Sequence, residues 1–453
     1  MNVRKFYSFV IAAAALRGQP LTLSQTVDAA LRNYPSIQVS QAEIDAAAAG
    51  IRIARTAYLP RIDTLAQINR ATRNNVFGML LPQSVIPSMS GPVIGSNNLG
   101  SAWGSAIGGL VTWEPFDFGQ RAANVAAAAA QQSRQQAALK RTQFEIAASA
   151  AGAYLTLAAA QETVRAAQAG VDQADTTVRL VTAQVRAELR PGADQSRAAA
   201  EAAAARTQLA QAQQAVESAR AALARFTATD PAALAIAAPG LLRTPPGETP
   251  PPADPAANPL AAEQNAAIEA ARAELHALER SYFPRFYLQG AAYARGTGAE
   301  VSGVNLGGVN GLAPNTQNYG LGLTVTFPVT DKFALREREA QQSALVRAEQ
   351  ARARQIAVDL KAQWNEAVAA LHGARAVAAN VPAELTAARD ALRQATARYQ
   401  SGLGNLEEVA EAQRLVTQSE IDDALARLNI WRSLLAIATA AGDIRPFVAE
   451  VER

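Results

Sequence analysis

The sequence has no cysteine, only two histidines and only four lysines in 453 residues. The absence of cysteine excludes a disulfide framework and thiolate metal sites, and it is compatible with any compartment. His276 and His372 each lie alone in a helical pattern, so neither completes a catalytic triad or a cluster of metal ligands. The sequence therefore predicts a protein that is not an enzyme and that holds no cofactor.

Charge of one sign and long apolar runs are also scarce. The formal net charge is +3, and charged residues make up 18% of the chain, below the usual quarter. Because no basic run with interleaved aromatics occurs, no nucleic acid partner is expected. After the N-terminus nothing approaches the roughly 18 consecutive apolar residues of a spanning helix, so passage through a membrane would need another structure.

The first 18 residues are predicted to be a secretory signal. The basic segment MNVRK precedes FYSFVIAAAAL, an apolar run of about eleven residues that is too short to cross a membrane as a helix. No cysteine follows to carry a lipid. The alternative interpretation is a buried N-terminal helix of the folded protein.

The chain is organised around residues 119–192, which contain no proline before Pro191 and are rich in alanine, glutamine, arginine and glutamate. These residues favour a helix, and a continuous helix of this length would extend roughly 100 Å. A polar, alanine-rich helix this long needs a partner along its length. A turn at PGADQ (191–195) and a helical pattern to about Arg225 therefore predict a helical hairpin.

A helix and two strands are predicted before this hairpin. Residues 21–58 have a helical pattern, which Ser24 could cap, and Pro35 either interrupts the helix or starts a second one. Two runs beginning at Pro60 and Ser101 then alternate with period two, which predicts strands. The glycine- and proline-rich stretch between them predicts a long loop, and Pro115 is expected to end the second strand.

The second half of the chain repeats this plan. AYLPR and SYFPR, which each join a helix to a strand, lie about 224 residues apart. A second long helix to Gln400 contains Pro382, which is expected to kink or break it, and SGLGN (401–405) is the second hairpin turn. A repeat this large indicates a duplication. The predicted domains are a signal (1–18), a first repeat (19–229), an extended proline-rich linker without a core of its own (230–259), a second repeat (260–442) and a tail (443–453).

The four predicted strands are about ten residues long, and each has an apolar face opposite a face of glycine, serine, threonine and asparagine. Alternating strands of this length match an outer-membrane barrel, but single-chain barrels begin at eight strands, so several chains must close the wall. The alternative is a soluble sheet covered by the helices. Aromatic residues near the strand ends are predicted to form a girdle at the membrane interfaces: Trp103, Trp113, Tyr287, Tyr319 and Phe327.

These features resemble the TolC-like outer membrane efflux proteins. The resemblance rests on the duplicated plan, on the junctions LPR (59–61) and FPR (283–285), on the strand exits WEPFDFG and FPVTDKF, and most specifically on ARYQSGLGNLEEVAEAQ (397–413). It implies a mainly α fold with a small β part. It further implies a homotrimer in contact with outer-membrane lipid, in which four strands per chain complete a twelve-stranded barrel and the hairpins form a periplasmic tunnel. A periplasmic adaptor and an inner-membrane pump are the other implied partners.

The resemblance also implies a constriction at the inner end of the tunnel. Tyr399 occupies the position of a tyrosine that ties the closed hairpins together, and its acidic partner falls at about Ser196. Glu408 and Glu411 occupy positions that carry aspartates around the pore, where three copies of a carboxylate would favour cations. Their alternative role is a solvated face that stabilises the start of the last helix. A basic residue of the family is replaced here by Gly404.

The two hairpin turns are expected to dock the adaptor. The predicted contact residues are Leu189, Pro191 and Gly192 on the first turn, and Gly402, Leu403 and Gly404 on the second. The favoured function is a passive exit duct of a tripartite efflux system. The alternatives are the outer-membrane component of type I protein secretion and a soluble coiled-coil scaffold.

Overall fold

The computed structural model describes residues 20–72, 100–243, 245, 250–251, 254–300 and 304–453. The predicted signal (1–18) lies outside the described residues, as does nearly all of the loop predicted between the first two strands. The chain divides into two compact units. One contains the described parts of residues 1–43, 135–265 and 351–453, and the other contains the described parts of residues 44–134 and 266–350.

The second unit is built on an antiparallel sheet whose strands follow chain order. They are β1 (Arg61–Thr72), β2 (Ser101–Phe116), β3 (Arg285–Thr297) and β4 (Thr316–Thr326), so β1 and β4 are the edges of the described sheet. All four predicted strands are confirmed. β2 does not end at Pro115, because the register shifts between Trp113 and Phe116 and the proline lies in a bulge that needs no N–H.

The register brings the apolar residues of neighbouring strands onto one face. Leu323 of β4 pairs with Leu288 of β3, which pairs with Trp113 of β2. Ile62 of β1 likewise pairs with Val111 of β2. Small and polar residues share the opposite face, so the predicted division of the strands into two faces is confirmed.

Tyr287 needs a correction. It pairs with Thr324 on the polar face, whereas Phe286 and Leu288 on either side of it belong to the apolar face. Tyr287 therefore lies on the opposite face of the sheet from Trp103, Trp113 and Tyr319, the strand residues with which it is predicted to form a girdle.

Helices join the sheet at a single end. α2 (Pro35–Thr56) leads into β1, and α5 (Pro259–Arg280) leads into β3. α3 (Gln120–Arg186) leaves β2, and α6 (Asp331–Gln400) leaves β4. Because the strands are antiparallel, Thr72, Ser101, Thr297 and Thr316 are all at the other end of the sheet.

A buried ion pair fixes the junction between β2 and α3. The Asp117 carboxylate accepts hydrogen bonds from the backbone N–H groups of Gly119 and Arg121 and from Nε of Arg121, at 2.9 Å. The Arg121 guanidinium also lies over the ring of Tyr58, 4.8 Å from its centroid. Both charged side chains are buried, so each depends on the other for compensation.

The first unit has the larger apolar core, which includes residues of the short helices α1 (Leu23–Asn33) and α8 (Arg445–Glu452). Thr22, and not the predicted Ser24, caps α1: its hydroxyl accepts the N–H of Gln25, whose side chain accepts the N–H of Thr22 in return.

The proline-rich segment belongs to this core, contrary to the prediction of an extended linker. It forms short 3₁₀ turns and buries Leu234 and Leu241. The hydroxyl of buried Tyr154 lies 2.5 Å from the carbonyl oxygen of Ala237. The predicted tail is likewise the helix α8, which buries Phe447 and Val451. Apolar residues spaced between the prolines carry the segment into the core.

The long helices form the two predicted hairpins. α3 has 67 residues and is followed by α4 (Gly192–Thr227), while α6 has 70 residues and is followed by α7 (Leu406–Ala441). The second turn is SGLGN as predicted, but the first lies at 187–191, because α4 already begins at Gly192. Pro382 lies inside α6 without ending it. No helix in the described part of the chain is both long and apolar enough to cross a membrane.

Candidate gate at the hairpin tips

The first helix of each hairpin, α3 or α6, ends in the same backbone motif. At the first turn Glu188 has a left-handed φ of 58°, and the N–H of Leu189 bonds to the carbonyl oxygen of Gln184. At the second, Gly402 has a φ of 80°, and the N–H of Leu403 bonds to the carbonyl oxygen of Arg398. This motif places the residue after the left-handed position outside the helix.

The consequence is a matched pair of exposed leucines. Leu189 is 72% exposed and Leu403 is 73% exposed, one at each tip. Among the other predicted contact residues, Gly192 starts α4 with no left-handed φ. Gly404 is closely approached, since a Cβ there would lie 3.1 Å from Cβ of Arg398. The two turns therefore differ in amino-acid sequence but expose the same apolar side chain, a leucine.

Tyr399, at the end of α6, joins the second hairpin to the first. Its side chain is 1% exposed, and its hydroxyl donates to Oδ2 of Asp194 in the first turn of α4 at 3.2 Å. The predicted position of the acidic partner, Ser196, is wrong by two residues. The first turn is earlier in the chain than predicted, and the shift brings Asp194 rather than Ser196 opposite the tyrosine. A clue was present in the sequence, because a carboxylate is favoured in the first turn of a helix.

Arg190 contacts the same tyrosine from the turn between α3 and α4. Its guanidinium carbon lies 4.3 Å from the centroid of the Tyr399 ring, and Nη2 donates to the carbonyl oxygen of Tyr399. Burial raises the pKa of the Tyr399 hydroxyl, and the charge and hydrogen bond of Asp194 raise it further, while Arg190 opposes them. The hydroxyl therefore remains a protonated donor at neutral pH.

An apolar cluster surrounds these contacts. Tyr399 packs with buried residues of α3, α4, α6 and α7, which are Val181, Ala198, Ala395, Leu406, Val409 and Ala412. Polar contacts also join the hairpins, with Arg197 and Glu407 3.3 Å apart at the surface and Nε2 of Gln413 donating to Oγ1 of Thr177 at 2.6 Å in a partly buried position. The two tips of one protomer are thus joined by a dry core with polar contacts around it.

The predicted constriction glutamates lie next to this cluster, at the start of α7. Both are exposed. Glu408 lies 3.5 Å from Nε of Arg398, and Glu411 lies 2.6 Å from Nη2 of Arg414. The backbone N–H of Glu408 is capped by Asn405. Each carboxylate therefore has an arginine beside it, in addition to the predicted position at the start of the last helix.

The predicted aromatic residues of the apolar face lie toward the two ends of the sheet. Trp103 and Tyr319 lie toward the end of the sheet away from the helices, and Tyr319 is 87% exposed. Trp113 and Phe327 lie toward the end where the helices join, and both are partly exposed. Among the described residues, no group of three or more histidine, aspartate or glutamate side chains could hold a metal ion.

Comparison with known proteins identifies the class. The family model described as outer membrane efflux protein matches residues 26–229 and 256–443. The chain therefore belongs to the outer membrane efflux protein family, whose members are channels of the bacterial outer membrane with a helical tunnel extending into the periplasm. This membership contradicts the alternative of a soluble scaffold. No curated protein sequence matches the chain significantly.

Solved structures share the fold at low sequence identity. A membrane protein from Pseudomonas aeruginosa is 22% identical, with a TM-score of 0.73 over 93% of this chain and 90% of that one. The outer membrane protein VceC from Vibrio cholerae is 18% identical, with a TM-score of 0.72 over 93% and 96%. The open state of the MtrE channel from Neisseria gonorrhoeae is 19% identical, with a TM-score of 0.70 over 93% and 89%.

Proposed function

We propose that three copies of this chain form a passive exit duct in the outer membrane. The observation that carries the proposal is the outward apolar face of β4. Tyr319, Leu321, Leu323 and Val325 are all more than half exposed in one chain, and β4 is an edge of the described sheet. Each such side chain gains roughly 1.5–3 kcal/mol when it leaves water, so an apolar solvent must cover this face.

Strand pairing between copies follows from the same edges. An unpaired edge is a template for another strand, and backbone groups in lipid must all be hydrogen-bonded. If β4 of one copy pairs with β1 of the next, three copies close a wall with no edge, with the apolar face toward lipid and the polar face toward the lumen. Four strands are too few to close alone.

The tips are the proposed docking site for a periplasmic adaptor, which would connect the duct to an inner-membrane pump. Two exposed leucines on matched turns form an apolar contact of the kind that an interface buries. The duct itself contains no energy source, so the pump would drive transport and the substrate would diffuse through the lumen.

The contact between Tyr399 and Asp194 is the proposed latch of the resting tunnel. It lies in the dry cluster that joins the two hairpins of one protomer, so separation of the tips must break it. Glu408 and Glu411 are proposed to line the constriction. Their arginine neighbours would reduce the net negative field there, because an opposite charge nearby offsets much of a carboxylate's charge.

Oligomeric mass in detergent and conductance in a planar bilayer test the duct. We expect a trimer that forms ion-conducting channels of uniform size. A monomer that folds without detergent and does not conduct would contradict the proposal.

A paired substitution tests the docking tips. Leu189→Asp combined with Leu403→Asp should abolish export in cells while the trimer and its conductance persist. Leu306→Asp is the matched control, since this leucine is also exposed but lies between β3 and β4, at the end of the sheet away from the helices. Equal export by the tip variant and the control would exclude the tips as the docking site.

A further inference from the structure

Arg190 makes contacts that no other charged group at the tips makes. Its guanidinium covers the face of the Tyr399 ring at 4.3 Å and also donates to the carbonyl oxygen of Tyr399. That carbonyl belongs to the last turn of α6, where the helix dipole is negative, and it also accepts the backbone N–H of Gly402 at 3.1 Å. One side chain of the first hairpin therefore contacts both the ring and the backbone end of the second.

Asp194 completes the arrangement from the other side of the same turn. Arg190 precedes Pro191, and Asp194 lies in the first turn of α4 just after it. The arginine holds the face of the ring and the carboxylate holds its hydroxyl, so the tyrosine is fixed at two points by one short segment of the first hairpin.

The other ionic contacts between the hairpins are weaker candidates for this role. Arg197 and Glu407 are 3.3 Å apart, but both are largely exposed to solvent. Arg414 and Glu201 are 4.0 Å apart, and the arginine is largely exposed. Exposed pairs of this kind contribute little, whereas Arg190 is only partly exposed and lies over a buried ring, which reduces the screening of its charge.

We propose that Arg190 is a positioning residue of the gate, which holds Tyr399 and the end of α6 against the first hairpin so that both hairpins of a protomer move together. The inference rests on the proposed function of the tips as the gate. It requires a planar guanidinium, because the group must stack on the ring while one of its N–H groups reaches the carbonyl. A lysine ammonium is a point charge and cannot do both.

Thiol labelling measures the latch directly, because the chain has no cysteine of its own. Ala198→Cys places one thiol in the buried cluster at the tips, where the alanine is 3% exposed. When opening is fast relative to labelling, the labelling rate follows the population of the open tip. In this background we expect Arg190→Ala to raise the rate roughly 5- to 30-fold, the factor that corresponds to the loss of a partly buried cation–π contact and a hydrogen bond.

Two further variants separate positioning from general stability. Arg190→Lys should recover only part of the protection, and Arg186→Ala should leave the labelling rate unchanged, because Arg186 is an exposed arginine of α3 that makes none of these contacts. Thermal unfolding of the trimer should be the same in all three. If the alanine variant does not assemble, Arg190→Gln takes its place, since it keeps much of the length and loses the charge.

The result that overturns the proposal is an Arg190→Ala variant that labels at the parent rate, or an Arg190→Lys variant that is fully protected. Planar-bilayer recordings of the same variants should show longer openings for Arg190→Ala. If the unmodified protein does not conduct at all, the proposed duct fails, while the labelling experiment still reports whether Arg190 holds the tips.

Discussion

Replacing Leu321 by arginine tests whether the apolar face of the sheet contacts lipid. Leu321 is the sixth of the eleven residues of β4, so it lies at the middle of the strand. It is 83% exposed in one chain and pairs with Gly290, which has no side chain to cover it. In the proposed barrel, lipid is therefore the main environment of this side chain.

The expected cost follows from two contributions. An arginine on the lipid face at the membrane midplane costs about 2–4 kcal/mol. The lost leucine removes about 2 kcal/mol of apolar burial in addition. We expect Leu321→Arg to lower the free energy of unfolding by about 4–6 kcal/mol per protomer, measured by guanidinium titration of the protein in lipid vesicles.

Gly320→Arg is the matched control at the same depth on the opposite face. Its Cβ position has no atom within 4 Å, so an arginine side chain has room to extend into the lumen. We expect a change of about 0–1 kcal/mol, as for a surface substitution away from special features. If Gly320→Arg costs as much as Leu321→Arg, the assignment of the two faces to lipid and lumen is wrong.

Three further predictions concern named polar groups. Glu408→Ala with Glu411→Ala should shift the reversal potential in a salt gradient toward anions, because the substitutions leave the neighbouring arginines uncompensated. Tyr154→Phe should lower the free energy of unfolding by about 1–2 kcal/mol, because the carbonyl oxygen that it bonds stays buried. Arg121→Ala should lower it by about 3–5 kcal/mol, because it leaves the buried carboxylate of Asp117 without its partner.

Burial by itself would raise the pKa of Asp117, but the hydrogen bonds from Arg121 and Gly119 outweigh it and lower the pKa below the ordinary 3.8. The ionised carboxylate therefore stabilises the fold above pH 3.8, and this stability is lost as the pH falls through the lowered pKa.

A more exposed tyrosine is the control for Tyr154→Phe. Tyr58 is 45% exposed, so Tyr58→Phe should not change the free energy of unfolding. An unchanged reversal potential in the double glutamate variant would remove both residues from the constriction. For Asp117, stability that is flat from pH 5 down to pH 2 would mean that its carboxylate does not stabilise the fold.

The local sequence pattern was sufficient to predict the helices, the strands and the two faces of each strand. Because helices and strands have different periodicities, short stretches of sequence are enough to predict the long alanine-rich helices and the alternating strands. Pro115 shows where local reasoning failed. A proline normally ends a ladder, but here a bulge in the pairing with β3 accommodates it, and pairing depends on residues far away in the chain.

The proposed gate also combines features that local pattern predicts with contacts that it does not predict. One continuous motif predicts both the second turn and Tyr399, whereas the family resemblance places the acidic partner of the tyrosine at about Ser196. The resemblance alone gave that position, whereas in the structure the hydroxyl of Tyr399 donates to Asp194, which lies 205 positions away in the chain. The contact of Arg190 with Tyr399 joins residues 209 positions apart, and no local pattern encodes it.

The sequence by itself determined the duplicated plan, the two hairpins, the four amphipathic strands and the need for an apolar surrounding, because each depends on spacing along the chain. Only the tertiary structure decided that Asp194 and Arg190 contact Tyr399 and that the proline-rich segment joins the core. These contacts join segments that lie far apart in the chain, so no local pattern encodes which side chains meet.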